Sequence, residues 1–237
     1  MDASEIIIKV DRVSMSYPIK RGFLKWSRHY PLKDVSFNLH RGETLGIIGR
    51  NGAGKSSLLR MIADIIEPDT GKIVNFGASV SLLALGVGFV PYLTGRENAI
   101  LSGMLMGMSK REVVSRMDAI IEFSGIGDFI DQPLRVYSSG MRSRIGFSTA
   151  IQANPDVLLI DEILGVGDED FRIKSLAEIK KLIRSDKTVV LVSHQMPAIK
   201  ELCDRVIWID YGSVQFLGST DEAIMQYACD VKKGSGQ

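Results

Sequence analysis

Cysteine is scarce. Only Cys203 and Cys229 occur in 237 residues, and they are not in C-x-x-C spacing. This excludes a disulfide framework and a cysteine-built metal site, and a reducing compartment such as the cytoplasm is the simple expectation. An excess of either charge is also missing, with 29 Lys and Arg against 28 Asp and Glu. No overall field favours nucleic acid or an anionic membrane, so any such contact needs a local patch. A secretory leader is not apparent: Met1-Asp2-Ala3-Ser4-Glu5 is acidic and runs into a β-rich stretch, whereas a signal begins basic and continues apolar. The one charge-free run of membrane-spanning length, Ile73 to Gly95, holds Asn75, Ser79, Ser81, Pro91 and glycines 77, 86, 88 and 95. In lipid those residues would leave backbone groups unpaired, so the run reads as a buried strand followed by a loop. With no transmembrane helix expected, a membrane role would require another polypeptide. What remains, 45% hydrophobic and 24% charged, is an ordinary soluble globular composition with chain enough for one large core, or a core plus a smaller lobe.

The chemistry begins at Gly49-Arg50-Asn51-Gly52-Ala53-Gly54-Lys55-Ser56, directly after the apolar run Leu45-Gly46-Ile47-Ile48. This is G-x-x-x-x-G-K-S/T, in which backbone N–H groups wrap phosphate oxygens, the lysine reaches the β- and γ-phosphates and the hydroxyl holds Mg²⁺. The following Ser57-Leu58-Leu59-Arg60-Met61-Ile62-Ala63 reads as a helix whose positive N-terminal end faces the same anion.

Ahead of it, Ile6 to Val10 and Val13 to Pro18 are β-rich. Tyr17 is either an aromatic face for adenine or a half-buried residue at a strand end. Ile19 to Tyr30 mixes Lys20, Arg21, Lys25 and Arg28 with Phe23, Trp26 and Tyr30. In a helix these three aromatics share one face flanked by the basic residues, which suits a partner protein, lipid headgroups or a sugar chain; the plain alternative is a surface loop. Leu32 to Leu39 alternates as a half-solvated strand, and Glu67-Pro68-Asp69-Thr70-Gly71 is a strong turn. From Arg96 to Gly140 the texture becomes helical, with Met104, Leu105 and Met108, then Val113, Met117, Ile120 and Ile121, at helical spacing, and Ser109 as an expected N-cap. His29 and His40 are expected to be structural.

Val157-Leu158-Leu159-Ile160 ends in Asp161-Glu162. Asp161 can share Mg²⁺ with Ser56, and Glu162 can orient or deprotonate the water that attacks a γ-phosphate. Tyr137-Ser138-Ser139-Gly140-Met141 opens a helix-like run stopped by Asn154-Pro155. A Ser-Gly helix start shortly before an apolar run and Asp-Glu is the order found in ATP-binding cassette proteins, and the chain resembles that family from about Ile6 to Gly218. The family's usual Leu-Ser-Gly-Gly-Gln reads Tyr-Ser-Ser-Gly-Met here. The resemblance implies that Asp168 lies at a dimer seam and that His194, after Thr188 to Ser193, is a switch histidine for the γ-phosphate.

Within the family, residues 49–56, 93–98, 137–142 and 161–168 are similar to the ATPase subunits of bacterial polysaccharide exporters, which move O-antigen, capsule or teichoic acid chains through a separate membrane subunit. There the basic-aromatic insert lies near the transport entrance, which implies that Phe23, Trp26 or Tyr30 meets the membrane subunit or its glycan. Two departures stand out. Residues 72–100 contain no glutamine, where many ABC proteins place one that senses Mg²⁺, so a serine oxygen such as Ser81 or a water substitutes, or coupling depends less on that contact. No C-terminal sugar-binding domain is expected after a hairpin over Val206 to Phe216, a helix from about Thr220 and a polar tail from Lys232 to Gln237.

The fold expected is α/β: a phosphate-loop NTPase core with an antiparallel β subdomain and a helical lobe inserted at about 96–150, all one ATPase domain over 1–237. The resemblance implies a homodimer holding two ATP molecules with Mg²⁺. One chain supplies Tyr17, Gly49, Asn51, Gly52, Ala53, Gly54, Lys55, Ser56 and Ser57, with Glu162 and His194 for catalysis. Ser138, Ser139 and Gly140 come from the other chain. The expected place is the cytoplasmic face of the inner membrane, on a permease subunit, with a lipid-linked glycan as cargo and no nucleic acid. A DNA-maintenance ATPase would need a long coiled-coil insertion, a translation factor two cassettes, and a small-molecule kinase has no use for Ser138 to Gly140 with His194. An ABC ATPase for another cargo is the nearer rival.

Overall fold

The structure, a computed structural model, describes residues 5–20, 26–83, 86–161 and 168–234. Glu162 and Phe23 therefore lie outside the described residues. Strand β1 (Ile6–Lys20) pairs antiparallel with β2 (Trp26–His40) and, on its other edge, with β4 (Thr70–Asn75). The second sheet has the order β5-β6-β7-β3-β8-β9, built from β3 (Thr44–Ile48), β5 (Val80–Leu82), β6 (Val157–Asp161), β7 (Thr188–Val192), β8 (Arg205–Asp210) and β9 (Ser213–Ser219). Its neighbours run parallel except the β8–β9 hairpin.

The four central strands read as continuous apolar runs because both of their faces are covered. Period-two alternation splits each strand between two cores. Leu45 and Ile47, Val157 and Leu159, Val190 and Val192, and Ile207 and Ile209 pack towards the antiparallel sheet together with Leu58 and Leu59 of α1 (Lys55–Ile62). Ile48, Leu158 and Ile160, Val189 and Leu191, and Val206 and Trp208 pack on the other side. They meet residues of α5 (Ser139–Gln152), α6 (Glu169–Ile183), α7 (Met196–Leu202) and α8 (Thr220–Gly234) there.

A third apolar cluster lies among α2 (Gly95–Leu105), α3 (Lys110–Ser115), α4 (Met117–Ser124) and the start of α5, and includes Met108, Val113, Met117, Ile120 and Tyr137. Thr94 with Glu97, and Ser109 with Glu112, form capping boxes that start α2 and α3, so the expected cap at Ser109 is present. Met104 and Leu105, of the same helical spacing, stay exposed.

Three local expectations change. Ile19 to Tyr30 is not helical where it is described: Lys20 pairs with Trp26, Ile19 with Ser27, Pro18 with Arg28 and Tyr17 with His29, so β1 and β2 run on as a two-stranded ribbon. Pairing with a long partner strand satisfies the backbone instead. Along the strand Trp26, Arg28 and Tyr30 then share a face, with the cation between the aromatics rather than beside them. The stretch after Lys72 holds two strands in different sheets, β4 and β5, rather than one buried strand. At the C-terminal end α8 carries helix through Lys232 and Lys233 to Gly234. The β8–β9 hairpin turns at Tyr211-Gly212 as expected, with both φ angles positive, at 50° and 80°.

Candidate active site

In parallel α/β sheets, ligands collect outside the carboxyl ends of the strands. Here β7 lies between β6 and β3, with Asp161 registered on Val192 and Val192 on Ile47. Three carboxyl ends therefore stand in one row: the phosphate loop after β3, Asp161 at the end of β6, and His194 just beyond β7. An open cavity of about 520 Å³ sits over that row, lined by Tyr17, His29, Pro31, Asn51, Gly52, Gly54, Lys55, Ser56, Ser57, Asp161, Val192 and His194.

The loop geometry explains its glycines at the two positions that matter most. Gly54 has φ 88°, and a Cβ there would lie 2.5 Å from the Pro31 carbonyl oxygen and 2.8 Å from Leu32 Cδ2, so only hydrogen lets the loop nest under β2. A Cβ on Gly49 would overlap the Ile209 carbonyl at the end of β8. Lys55 is 6% exposed, and its Nζ donates to the carbonyls of Gly49 at 2.9 Å and Arg50 at 2.8 Å. A buried ammonium held by carbonyl dipoles, at the first turn of α1, is a cradle for anionic oxygens with a movable cation at its floor.

Tyr17 is 42% exposed and faces the cavity, with its hydroxyl 3.4 Å from Ser57 Oγ. Its cross-strand partner His29 lines the same cavity, and directly opposed residues of an antiparallel pair share a face. His29, expected to be structural, thus lines the cavity, and Pro31 joins the lining as well. The missed signal was pairing: once residues 17 and 29 are read as the two arms of a hairpin, they come into register.

Ser138, Ser139 and Gly140 do not line this cavity. Ser138 is exposed and N-caps α5, its hydroxyl accepting from Met141 N at 3.1 Å. Asp168 N-caps α6 and pairs with Arg144 of α5, whose guanidinium lies 5.3 Å from the centre of the Phe171 ring. The Phe171 amide, with the Arg144 guanidinium behind it, holds the Asp168 carboxyl below the usual carboxylate range. Ser81 is buried on β5 and is not among the lining residues. Trp26 is 68% exposed on the ribbon, and Tyr30 lies under the ammonium of Lys33 at 5.8 Å. No helix among the described residues is long and apolar enough to cross a membrane.

A strand, a glycine-lined phosphate loop and a helix, with an acid and a histidine at the ends of the adjoining parallel strands, define a phosphate-loop nucleoside triphosphatase. The profile of the ABC transporter family matches residues 32–165. The O-antigen export system ATP-binding protein RfbB of Klebsiella pneumoniae is 41% identical over 240 residues, which cover 94% of this chain and 98% of that protein. The ABC transporter protein AbcA of Aeromonas salmonicida is 44% identical, with 94% and 76% covered. The teichoic acids export ATP-binding protein TagH of Listeria monocytogenes is 43% identical over 86% of this chain, which spans 60% of its length. Among solved structures, a dimeric post-hydrolysis state of an ATP-binding cassette bound to ADP and phosphate superposes with a TM-score of 0.71 at 24% identity, covering 90% of this chain and 98% of that one. The chain belongs to the ABC transporter family and is an ATPase of that family.

Proposed function

We propose that this chain is the ATP-hydrolysing subunit of a transporter that exports a lipid-linked polysaccharide of the O-antigen, capsule or teichoic acid type. The reading rests on the cavity over the ends of β3, β6 and β7, and the relatives named for O-antigen and teichoic acid export support the cargo. Residues 1–237 act as one ATPase domain, on the cytoplasmic face of the inner membrane through a separate permease subunit, with no nucleic acid partner.

Tyr17 stacks on the adenine, and the N–H groups of residues 49–54 wrap the phosphates. Lys55 moves from the carbonyls of Gly49 and Arg50 onto the β- and γ-phosphate oxygens, exchanging dipoles for full charges. Ser56 and Asp161 would hold Mg²⁺, an ion that neutralises phosphate charge, and hard oxygen donors on two sides of one cavity fit it. His194 contacts the γ-phosphate, and Glu162 takes the proton of the attacking water.

Ser138, Ser139 and Gly140 do not line their own chain's cavity and sit at the solvent-facing start of α5, which fits a homodimer in which each chain supplies the other's γ-phosphate contacts, with Asp168 at the seam. The γ-phosphate biases closed against open only through contacts that differ between the two states, and the trans contacts are those. The exposed ribbon carrying Trp26 and Tyr30, with Phe23 in the same sequence stretch, faces the membrane subunit or its glycan.

The test is Glu162→Gln, which is expected to slow hydrolysis about a hundredfold or more and trap an ATP-bound dimer on a sizing column. Normal turnover would remove Glu162 as the base. Stimulation of the ATPase by a co-expressed permease with a lipid-linked glycan, and not by another cargo, tests the transport assignment.

A further inference from the structure

Arg50 occupies the second position of the phosphate loop, where the motif demands no particular side chain. Its guanidinium nevertheless reaches out of the loop to two other elements. Nη1 donates to the Tyr211 hydroxyl at 2.9 Å, and the guanidinium carbon lies 5.5 Å from the centre of the Tyr211 ring. Nε stands 3.3 Å from Asp210 Oδ2, and Nη2 stands 3.7 Å from Asp230 Oδ2 on α8.

The Asp210 side chain is 5% exposed. Its Oδ1 accepts from Tyr211 N at 3.0 Å, whereas Oδ2 is buried with no hydrogen-bond donor among the described residues. The charge of Arg50 therefore balances a buried carboxylate, and such a pair resists separation. The turn it grips is itself fixed, because the Gly212 carbonyl accepts from Lys33 N of β2 at 2.6 Å. On its main-chain side, the Arg50 carbonyl accepts from Lys55 Nζ. One residue thus holds the β8–β9 turn by its side chain and the loop lysine by its backbone.

We propose that Arg50 is a positioning residue for ATP binding, latching the phosphate loop to the Asp210-Tyr211 turn so that the cradle has its phosphate-accepting shape before nucleotide arrives. This rests on the reading of the cavity as the ATP site. A loop released from the latch is competent only part of the time, and apparent affinity falls by that fraction. Lysine cannot replace the residue, since it keeps the charge but loses the planar fork and the stacking on Tyr211.

The experiment measures binding of a fluorescent ATP analogue, ATPase KM and kcat, and Tm on the purified full chain. The proteins compared are the native chain, Arg50→Lys, Arg50→Ala with Asp210→Asn, and Lys55→Ala. The paired change removes the buried acid together with its counter-charge, so that folding is retained. Arg50→Lys and the paired variant should bind about tenfold more weakly and raise KM alike, with kcat within about twofold and Tm close to native. Affinity within twofold of native in the folded paired variant would overturn the latch. So would a lowered Tm with unchanged affinity per folded molecule, which would make Arg50 structural alone. Native-like affinity in Lys55→Ala would instead overturn the ATP-site reading, and so separates the two failures.

Discussion

Replacing Gly95 by alanine sets a methyl against the hydroxyl of Tyr137, and the response measures how firmly the helical cluster holds the start of α5. Tyr137 is 4% exposed, and its hydroxyl donates to the Phe129 carbonyl. A Cβ at residue 95 would overlap that hydroxyl oxygen and stand 3.0 Å from both Tyr137 Cζ and the Ile130 carbonyl. Gly95 is not among the positive-φ glycines, so the backbone accepts alanine and the conflict is purely one of space. Overpacking of this kind costs about 1–3 kcal/mol. Pulling the hydroxyl off Phe129 adds about 0.5–1.5 kcal/mol for the lost hydrogen bond. The sum, about 1.5–4.5 kcal/mol, should lower Tm by roughly 2–4 °C for each kcal/mol in a chain of this length. Tyr137→Phe alone forfeits only the hydrogen bond. In the double variant the clashing oxygen is gone, so the combined cost should fall short of the sum of the single costs by about 1 kcal/mol or more, beyond the ~0.5 kcal/mol scatter of independent sites. Urea unfolding of the four proteins, followed by circular dichroism, gives the cycle. Additive costs, or a Gly95→Ala protein as stable as the native one, would refute the packing argument. Because Tyr137 immediately precedes the cap residue Ser138, the same cycle read by ATPase rate tells whether disturbing this seat disturbs the trans contacts proposed for Ser138. It also gives Tyr137 a reason to stand where the family usually has leucine: the phenol reaches a carbonyl that leucine could not, and Gly95 makes the room.

Thiol chemistry should divide the two cysteines. Burial, with Asp204 adding to it, pushes the Cys203 thiol up to about 12, whereas Cys229 is exposed. One fast and one slow reaction with a thiol reagent is expected, and two fast ones would contradict the packing around Cys203. At acid pH, the Asp156 carboxyl is held below its ordinary value mainly by the Ser79 hydroxyl, at 2.7 Å. A depressed folded pKa means that this contribution to stability is present above the ordinary value of 3.8 and is lost as pH falls through the lower folded one. Ser79→Ala should raise the Asp156 pKa in an NMR titration, and an unchanged titration would rule out the assignment. On the ribbon, Trp26→Ala should cut the ATPase stimulation obtained with permease and lipid-linked glycan several-fold, and undiminished stimulation would take Trp26 out of the transport interface.

How much of this was legible depends on whether the determining contacts are local. The runs that became β3, β6 and β7 announced themselves because strands covered on both faces need apolar side chains at every position. The N-cap at Ser109 and the turn at Tyr211-Gly212 are equally readable, since each depends on neighbours within a few residues. The ribbon is ambiguous in sequence because Phe23, Trp26 and Tyr30 satisfy a helical spacing, whereas the alternation of Trp26, Arg28 and Tyr30 satisfies a strand equally well. What decides between them is β1, whose free backbone groups require a partner, and that is not written in residues 19–30. The place of His29 in the cavity lining is hidden for the same reason, because its neighbour there, Tyr17, lies across the ribbon.

Strand β7 occupies a place that decides what can reach across the site. Strands in a sheet are about 4.8 Å apart. With the order β6-β7-β3, the phosphate loop and Asp161 stand two strand spacings apart, about 10 Å, with β7 between them. Residues at those two ends can share one phosphate-bound ion only if the ligand bridges the gap above β7, and His194 is the side chain stationed there. Strand order thus places this histidine in the cavity lining between the phosphate loop and the acid. Moving the same Ser193-His194 pair to the edge strand β9 would leave both motifs intact and the site without its third side.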